Sequence, residues 1–298
     1  MSSVIHYNNC PVCDSPGISS ALSARDHTVS GENFSIWECS SCGLRFTQNV
    51  PDPVAIISYY KSENYISHSN TSRGFINWLY HWVRKKTLKR KRRLAVRATG
   101  LKKGRLLDIG SGTGGFVLEM ISSGWEVTGL EPDADARRVA KETFGVTLEE
   151  AGRLFTLETG SYDIISLWHV LEHVHELHRY MEQMKFLLKE NGRILIAVPN
   201  YTSMDAAIYK EQWAAYDVPR HLYHFSPGSM QTLLEKHGLK LLEYKPMWYD
   251  SFYISMLSSK YRNGKTNLTG AFINGFRSNI KALGDVKKCS SVIYVVGK

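Results

Sequence analysis

Leu106-Leu107-Asp108-Ile109-Gly110-Ser111-Gly112-Thr113-Gly114-Gly115 is the stretch that decides the fold. A short apolar run ends in a glycine-rich turn, and a helical segment from Phe116 to Ile121 follows and stops at Gly124. Strand, glycine turn and helix in that order bring backbone N–H groups and the positive end of a helix against a ligand. Outward from the turn the pattern repeats. Strand-like runs occupy 105–109, 125–130, 146–148, 162–168, 193–198, 239–245 and 291–296, with helical patterns over 133–144, 178–190 and 229–237. Alternation with short connections predicts an α/β chain whose mostly parallel sheet is covered by helices on both faces.

Gly110, Gly112 and Gly115 satisfy the dinucleotide fingerprint, and Glu131 closes the next strand, where an acid hydrogen-bonds ribose hydroxyls. Both features suit NAD and S-adenosylmethionine alike. Asp108 separates them. A carboxylate directly before the turn would face a pyrophosphate at close range in a partly dry site, an unfavourable arrangement. S-adenosylmethionine carries an ammonium and a sulfonium instead, and a carboxylate stabilises both. A dehydrogenase, a phosphate loop and an unliganded α/β domain are the competing readings.

The ordered motifs resemble those of the class I S-adenosylmethionine-dependent methyltransferases over roughly residues 105–298. LLDIGSGTGG is similar to that family's first motif, LEPDADA to its second, EEAGRLF to its adenine-side segment, and YDIISLWHVLEHV and GRILIAVPN to its fourth and fifth strands. The resemblance implies a Rossmann-like sheet of seven strands, mostly parallel with an antiparallel last strand. It assigns Asp108, Gly110, Ser111, Gly112 and Gly114 to the cofactor, Glu131 to its ribose, Glu150 to its adenine and His169 to its surroundings. Glu150 departs from the aspartate more usual in the family.

Cys10-Pro-Val-Cys13 and Cys39-Ser-Ser-Cys42 form two close pairs 25 residues apart. Four thiolates on two knuckles suit a closed tetrahedral Zn²⁺ site, with a hairpin near Gly31 returning the chain. A redox pair at Cys10 and Cys13 would leave the second pair unexplained. Cys289, alone before the last strand, reads as a small buried residue. The chain thus divides into a zinc ribbon over 1–50, a helical linker or lid over 51–104, and the methyltransferase unit over 105–298.

Methyl transfer from a sulfonium is an in-line displacement, and a base near the acceptor assists it. Ligands in such sheets sit beyond the carboxyl ends of the strands. His169 and His173 follow the fourth strand, four residues apart and so on one face of a starting helix. His221 and His224 lie in DVPRHLYHFSP, an insertion after the fifth strand that should cover the acceptor. His173, His221 and His224 are the candidate catalytic residues, with packing against Trp213, Tyr216 and Tyr223 the structural alternative for the last two.

The formal charge is +9, much of it in the run from Arg84 to Arg105. That excess favours an anionic partner, such as a phosphorylated substrate, RNA or an acidic membrane surface, unless the run is simply a solvated helix face. No run of about 18 apolar residues predicts a spanning helix. The first residues lack the plan of a secretory signal, so the cysteines are expected in a reducing cytoplasm. An Asn/Asp-Pro-Pro-aromatic segment after the fourth strand and a Pro-Cys loop are absent, which argues against exocyclic-amine and cytosine-C5 methylation. A ribbon joined to PRHLYHFS resembles enzymes of glycan, deoxysugar and secondary-metabolite pathways. O-methylation, or C-methylation of a nucleotide- or lipid-linked sugar, is the expected reaction, and ribosomal-RNA-type methylation is the alternative. The apolar stripe of Phe75, Trp78, Leu79, Trp82 and Val83 is expected to pack on the core or lid the cofactor.

Overall fold

The computed structural model describes residues 3–60 and 75–298, with side chains from residue 83 onward in the second stretch. The Trp78 and Trp82 expectations lie outside those side chains. The amino-terminal unit has strands β1 (Val4–Ile5), β2 (Ile18–Arg25), β3 (Asn33–Cys39), β4 (Arg45–Thr47) and β5 (Val50–Pro51). β2 and β3 form the expected hairpin, and Gly31 takes a left-handed φ of +71° on the way back. After a 3₁₀ segment at Ala55–Tyr60, helix α1 runs from Phe75 to Thr99 and carries most of the basic stretch.

The sheet unit then follows the expected order: β6 (Arg105–Ile109), α2 (Gly115–Ser122), β7 (Glu126–Leu130), α3 (Ala134–Phe144), β8 (Tyr162–Trp168), α4 (Leu177–Leu187) and β9 (Leu188–Pro199). Beyond it come α5 (Met204–Tyr209), β10 (Tyr223–His224), α6 (Pro227–Lys236), β11 (Lys240–Pro246), α7 (Asp250–Asn263), α8 (Leu268–Gly284) and β12 (Ser291–Gly297). The main sheet has the order β11-β12-β9-β8-β6-β7; β7, β6, β8 and β9 are parallel, and β12 is antiparallel to both neighbours.

Six of the seven expected strands form this sheet. The remaining segment keeps its place at the edge beside β7 through a single bridge, Leu130 to Glu149. Val146 and Leu148 turn inward against Val117 and Ala140, so packing between helices replaces further strand pairing. The helix expected to end at Asn191-Gly192 stops at Leu187 instead. Leu187 and Leu188 are both fully buried, and β9 starts at once, with a register shift before Arg193.

β4 does not end the ribbon sheet. It pairs with β10 from the insertion, giving the order β10-β4-β3-β2 with Tyr223 opposite Phe46 and His224 opposite Arg45. Cys10, Val12, Leu44 and Phe46 share one hydrophobic cluster with Leu222, Phe225 and the strands of the main sheet. The ribbon is therefore part of the wall around the carboxyl ends of the sheet.

Candidate functional site

Connections leave β6 toward β7 on one side and β8 on the other, so a crevice opens at its carboxyl end. Leu106, Leu107 and Ile109 anchor β6 in the core, and register places Asp108 opposite Ser166. The Ser166 hydroxyl donates to Asp108 Oδ1 at 2.6 Å. Burial lifts the Asp108 carboxyl to about 6 despite that bond and the nearby Lys91 ammonium. A buried carboxylate held short of full ionisation is a site prepared for a cation.

Gly110, Gly112 and Gly114 all have positive φ, at +72°, +53° and +76°, which only glycine adopts at little cost. A Cβ on Gly110 would stand 2.3 Å from Val170 Cγ2, whereas one on Gly112 would meet nothing within 4 Å. The Ser111 hydroxyl donates to the Asp108 carbonyl at 2.9 Å and braces the turn. Gly112 N–H donates to Glu131 Oε2 at 2.7 Å and Asp133 N–H to Oε1 at 3.0 Å. The acid expected for ribose is thus aimed at the glycine turn, and burial raises its pKa. Glu150 is mostly exposed and meets Arg137 at 3.2 Å.

Part of the basic run faces this crevice. Arg84 donates to Thr113 Oγ1 at 3.2 Å, and Lys91 lies over the Trp168 ring at 4.3 Å. Burial brings the Lys91 ammonium down to about 8, with Asp108 and Asp250 acting against the shift. Arg92 is tied to Glu119 at 2.8 Å. A freely solvated helix face does not describe these three, although Lys85, Lys89, Arg93 and Arg97 of the same run are exposed. Arg84, Leu88, Lys91 and Ala95 follow one another at four- and three-residue spacing, so Leu88 and Ala95 in the core turn both cations inward. That stripe was the available signal, masked by the number of cations around it.

His169 and His173 do not share a helix face. The strand ends at Trp168, His169 takes φ +59°, and a 3₁₀ turn spans Leu171–His173; α4 begins only at Leu177. Glu172 and His173 need that turn to reach the interior. His169 Nε2 meets Asp250 at 2.9 Å and Nδ1 lies 3.4 Å from Glu172. Burial opposes its charge, yet the two carboxylates lift His169 to about 10, so it is an imidazolium at neutral pH.

His173 instead meets His221. Their rings stand edge to face with centroids 4.5 Å apart. His173 Nδ1 lies 3.0 Å from the Arg220 carbonyl and His221 Nδ1 2.8 Å from the Ala215 carbonyl. A carbonyl only accepts, so His221 Nδ1 carries the proton and its Nε2 offers a lone pair, whereas His173 Nδ1 also lies 3.0 Å from the Tyr60 hydroxyl, which either donates to it or accepts from it. Burial and the His221 ring pull His173 down to about 4. Glu172 is fully buried and faces the His169 imidazolium at 3.4 Å, and neither of its oxygens has a hydrogen bond among the described residues. Glu172, His173 and His221 bring their ligand atoms within 4.8 Å of one another, a spacing that suits a shared proton or a cation.

Asp217, 3.9 Å from His221 Nε2, accepts from Arg220, which also reaches Asp26 of the ribbon at 3.1 Å. Burial opposes charge on Asp217, but Arg220 and the histidines hold its carboxyl below the usual range. Sequence reading missed Asp26, Asp217 and Arg220, which gather only when the ribbon and insertion pack together, and Asp250 of α7, which meets His169. His224 is separate: Thr47 donates its hydroxyl to the His221 carbonyl, so His224 Nε2, 3.2 Å away, must donate to Thr47. Its ring packs on Tyr216, and burial holds its pKa well below the ordinary value.

The four ribbon cysteines are free thiols gathered at one point, with Cys10 and Cys42 Sγ, and Cys13 and Cys39 Sγ, each 3.6 Å apart. A tetrahedron with metal–sulfur bonds of about 2.3 Å has edges of about 3.8 Å, so the cluster fits Zn²⁺. Left-handed residues Asp14 and Gly43 close the two knuckles. The Cys42 thiol and the backbone lower Cys10 to about 5 against its burial. Cys289 is fully buried, and burial raises its thiol to about 11.

A family model described as a methyltransferase domain matches residues 79–244. The ubiquinone biosynthesis O-methyltransferase of Nitrosococcus oceani is 29% identical over 175 residues, covering 54% of this chain and 72% of the relative. The C-methyltransferase NovU of Streptomyces niveus is 26% identical over 216 residues, covering 69% of this chain and 46% of NovU. Phosphoethanolamine N-methyltransferase 2 of Haemonchus contortus, solved with S-adenosylhomocysteine, superposes with a TM-score of 0.53 at 17% identity, over 85% of this chain and 62% of that one. The Burkholderia thailandensis 1,6-didemethyltoxoflavin-N1-methyltransferase gives 0.51 at 13% identity, over 92% of this chain and 99% of that one. These structural likenesses concern the fold.

Proposed function

The chain belongs to this methyltransferase family and is an S-adenosylmethionine-dependent methyltransferase; from that premise we propose an O- or C-methylation of an anionic small molecule or glycan, with His221 as base. The observation that carries the proposal is the His173–His221 pair beside Glu172 and Asp217, at the carboxyl ends of the strands. Asp108, the glycine turn and Glu131 would hold S-adenosylmethionine, which supplies an electrophilic methyl group on a sulfonium. His221 Nε2 takes the acceptor's proton, and Asp217 stabilises the resulting imidazolium. His173 stays neutral and fixes the ring from its edge. His224 supports this arrangement through Thr47 and need not touch the acceptor.

Zn²⁺ in the four-cysteine site would fix the ribbon strand on which the insertion is built. A small cavity of about 10 Å³, room for no more than about one water, lies between the ribbon hairpin and the insertion, with His27, Trp213, Asp217, Arg220 and Tyr261 in its lining. The choice of acceptor, a nucleotide- or lipid-linked sugar among the candidates, draws its support from the O- and C-methyltransferase relatives and from the basic stretch. RNA stays the alternative reading, since Lys85, Lys89, Arg93 and Arg97 of the basic run are exposed even though Arg84, Lys91 and Arg92 make inward contacts.

The test is methyl transfer from labelled S-adenosylmethionine to nucleotide sugars, glycans, phenols and RNA. With the accepted substrate, His221→Gln should lower kcat by roughly 10²–10⁴-fold while S-adenosylhomocysteine still binds. Unchanged turnover would remove His221 as base. Turnover that required added Mg²⁺ would make the Glu172–His173–His221 group a cation site instead.

A further inference from the structure

Helix α8 buries its small residues and exposes its large ones. Ala271, Gly275, Ser278 and Ala282 face the protein. Leu268, Phe272, Ile273, Phe276, Ile280 and Leu283 are each half exposed or more. At 100° per residue these six fill an arc of about 140°. The helix is locked in this orientation. Ser278 donates to buried Asp205 at 2.7 Å, and a Cβ on Gly275 would stand 2.8 Å from Phe252 Cδ1, so α8 cannot roll inward. Monomeric surfaces seldom leave so continuous an apolar patch open to water.

Charge identifies the occupant. Arg277 and Lys281 lie beside the arc, and Lys260, Lys265 and Lys288 are exposed near the ends of the helix. Asp285 is the single acidic residue after Asp250. Among the described residues no helix is long and apolar enough to cross a membrane, so the face could only lie on one. We propose that α8 docks on a bilayer containing anionic lipid, with its apolar arc at the acyl boundary and its cations over the headgroups. A second copy fits less well: a two-fold contact would bring Arg277 and Lys281 toward their own copies with little acid to meet them. The inference stands apart from the identity of the acceptor.

The experiment is flotation of the full, zinc-loaded chain with phosphatidylcholine vesicles, alone and with roughly one third phosphatidylglycerol. The chain should float with the anionic vesicles and remain behind with the neutral ones. Phe272→Ser with Phe276→Ser should cut partitioning at least ~10-fold, and Lys281→Gln roughly fivefold, with S-adenosylhomocysteine binding retained. If the double variant does not fold, Arg277→Gln with Lys281→Gln tests the same face through charge alone. Absence of anionic-vesicle binding, or equal binding by these variants, overturns the proposal. So does light scattering that shows a dimer broken by the Phe substitutions, without vesicle binding.

Discussion

In the proposed cofactor site, Asp108 would act through an imbalance. Its carboxyl is buried, carries one hydroxyl donor, and is raised to about 6, above its value in an unfolded chain. The unliganded fold is therefore penalised increasingly as pH rises from about 4 to 6, by roughly 2–3 kcal/mol in all. Asp108→Asn should raise the unliganded Tm at pH 7.5 and weaken S-adenosylmethionine binding, a pair of effects readable by calorimetry. In the unaltered protein, affinity for the cation should fall about tenfold per pH unit below 6, where the carboxylate takes up its proton. At Gly110 both the left-handed φ and the contact with Val170 forbid a side chain. Gly110→Ala should cost about 2–4 kcal/mol in denaturant unfolding. These positions were legible because a strand, a turn and a helix state their roles within ten residues. Lys91 was not, because only helix register separates it from its basic neighbours.

At the scale of elements, the ribbon hairpin and its four cysteines could be read from spacing, but its pairing with β10 could not. Two residues, Tyr223 and His224, supply that strand, too few for a period-two signal. The same pairing carries the Thr47 contacts to His221 and brings Asp26 to Arg220. With Zn²⁺ bound at the four cysteines, its removal should therefore depress turnover more than cofactor affinity, since the glycine turn belongs to the other sheet. Chelation followed by parallel activity and S-adenosylhomocysteine titrations reads the difference; equal losses would mean simple unfolding. Arg220→Met leaves Asp26 without its buried cation and should destabilise the fold by about 3–5 kcal/mol. The histidine geometry escaped sequence reading for a related reason: a left-handed His169 and a 3₁₀ turn replaced the helix that four-residue spacing implied.

For the molecule as a whole, the parallel order of the main sheet followed from alternation, while the apolar arc of α8 was hidden in an ordinary helical pattern whose inner side is small residues. Knowing which side faces the core required the tertiary packing. The +9 charge is divided among a few inward contacts on α1, exposed cations along the same helix and exposed cations around α8, so it does not by itself name one anionic partner. Binding to a short RNA should be weak and fall steeply between 50 and 200 mM salt, roughly as the power of the few phosphates met, without affecting turnover of the true acceptor. The most direct test of the central claim is calorimetric titration with S-adenosylhomocysteine, using NAD as the control, on the zinc-loaded chain and on Asp108→Asn and Glu131→Gln. Saturable binding of S-adenosylhomocysteine alone, weakened about tenfold or more by either substitution, is the predicted result. Binding of NAD without S-adenosylhomocysteine, or affinity indifferent to both substitutions, would contradict the assignment of the crevice.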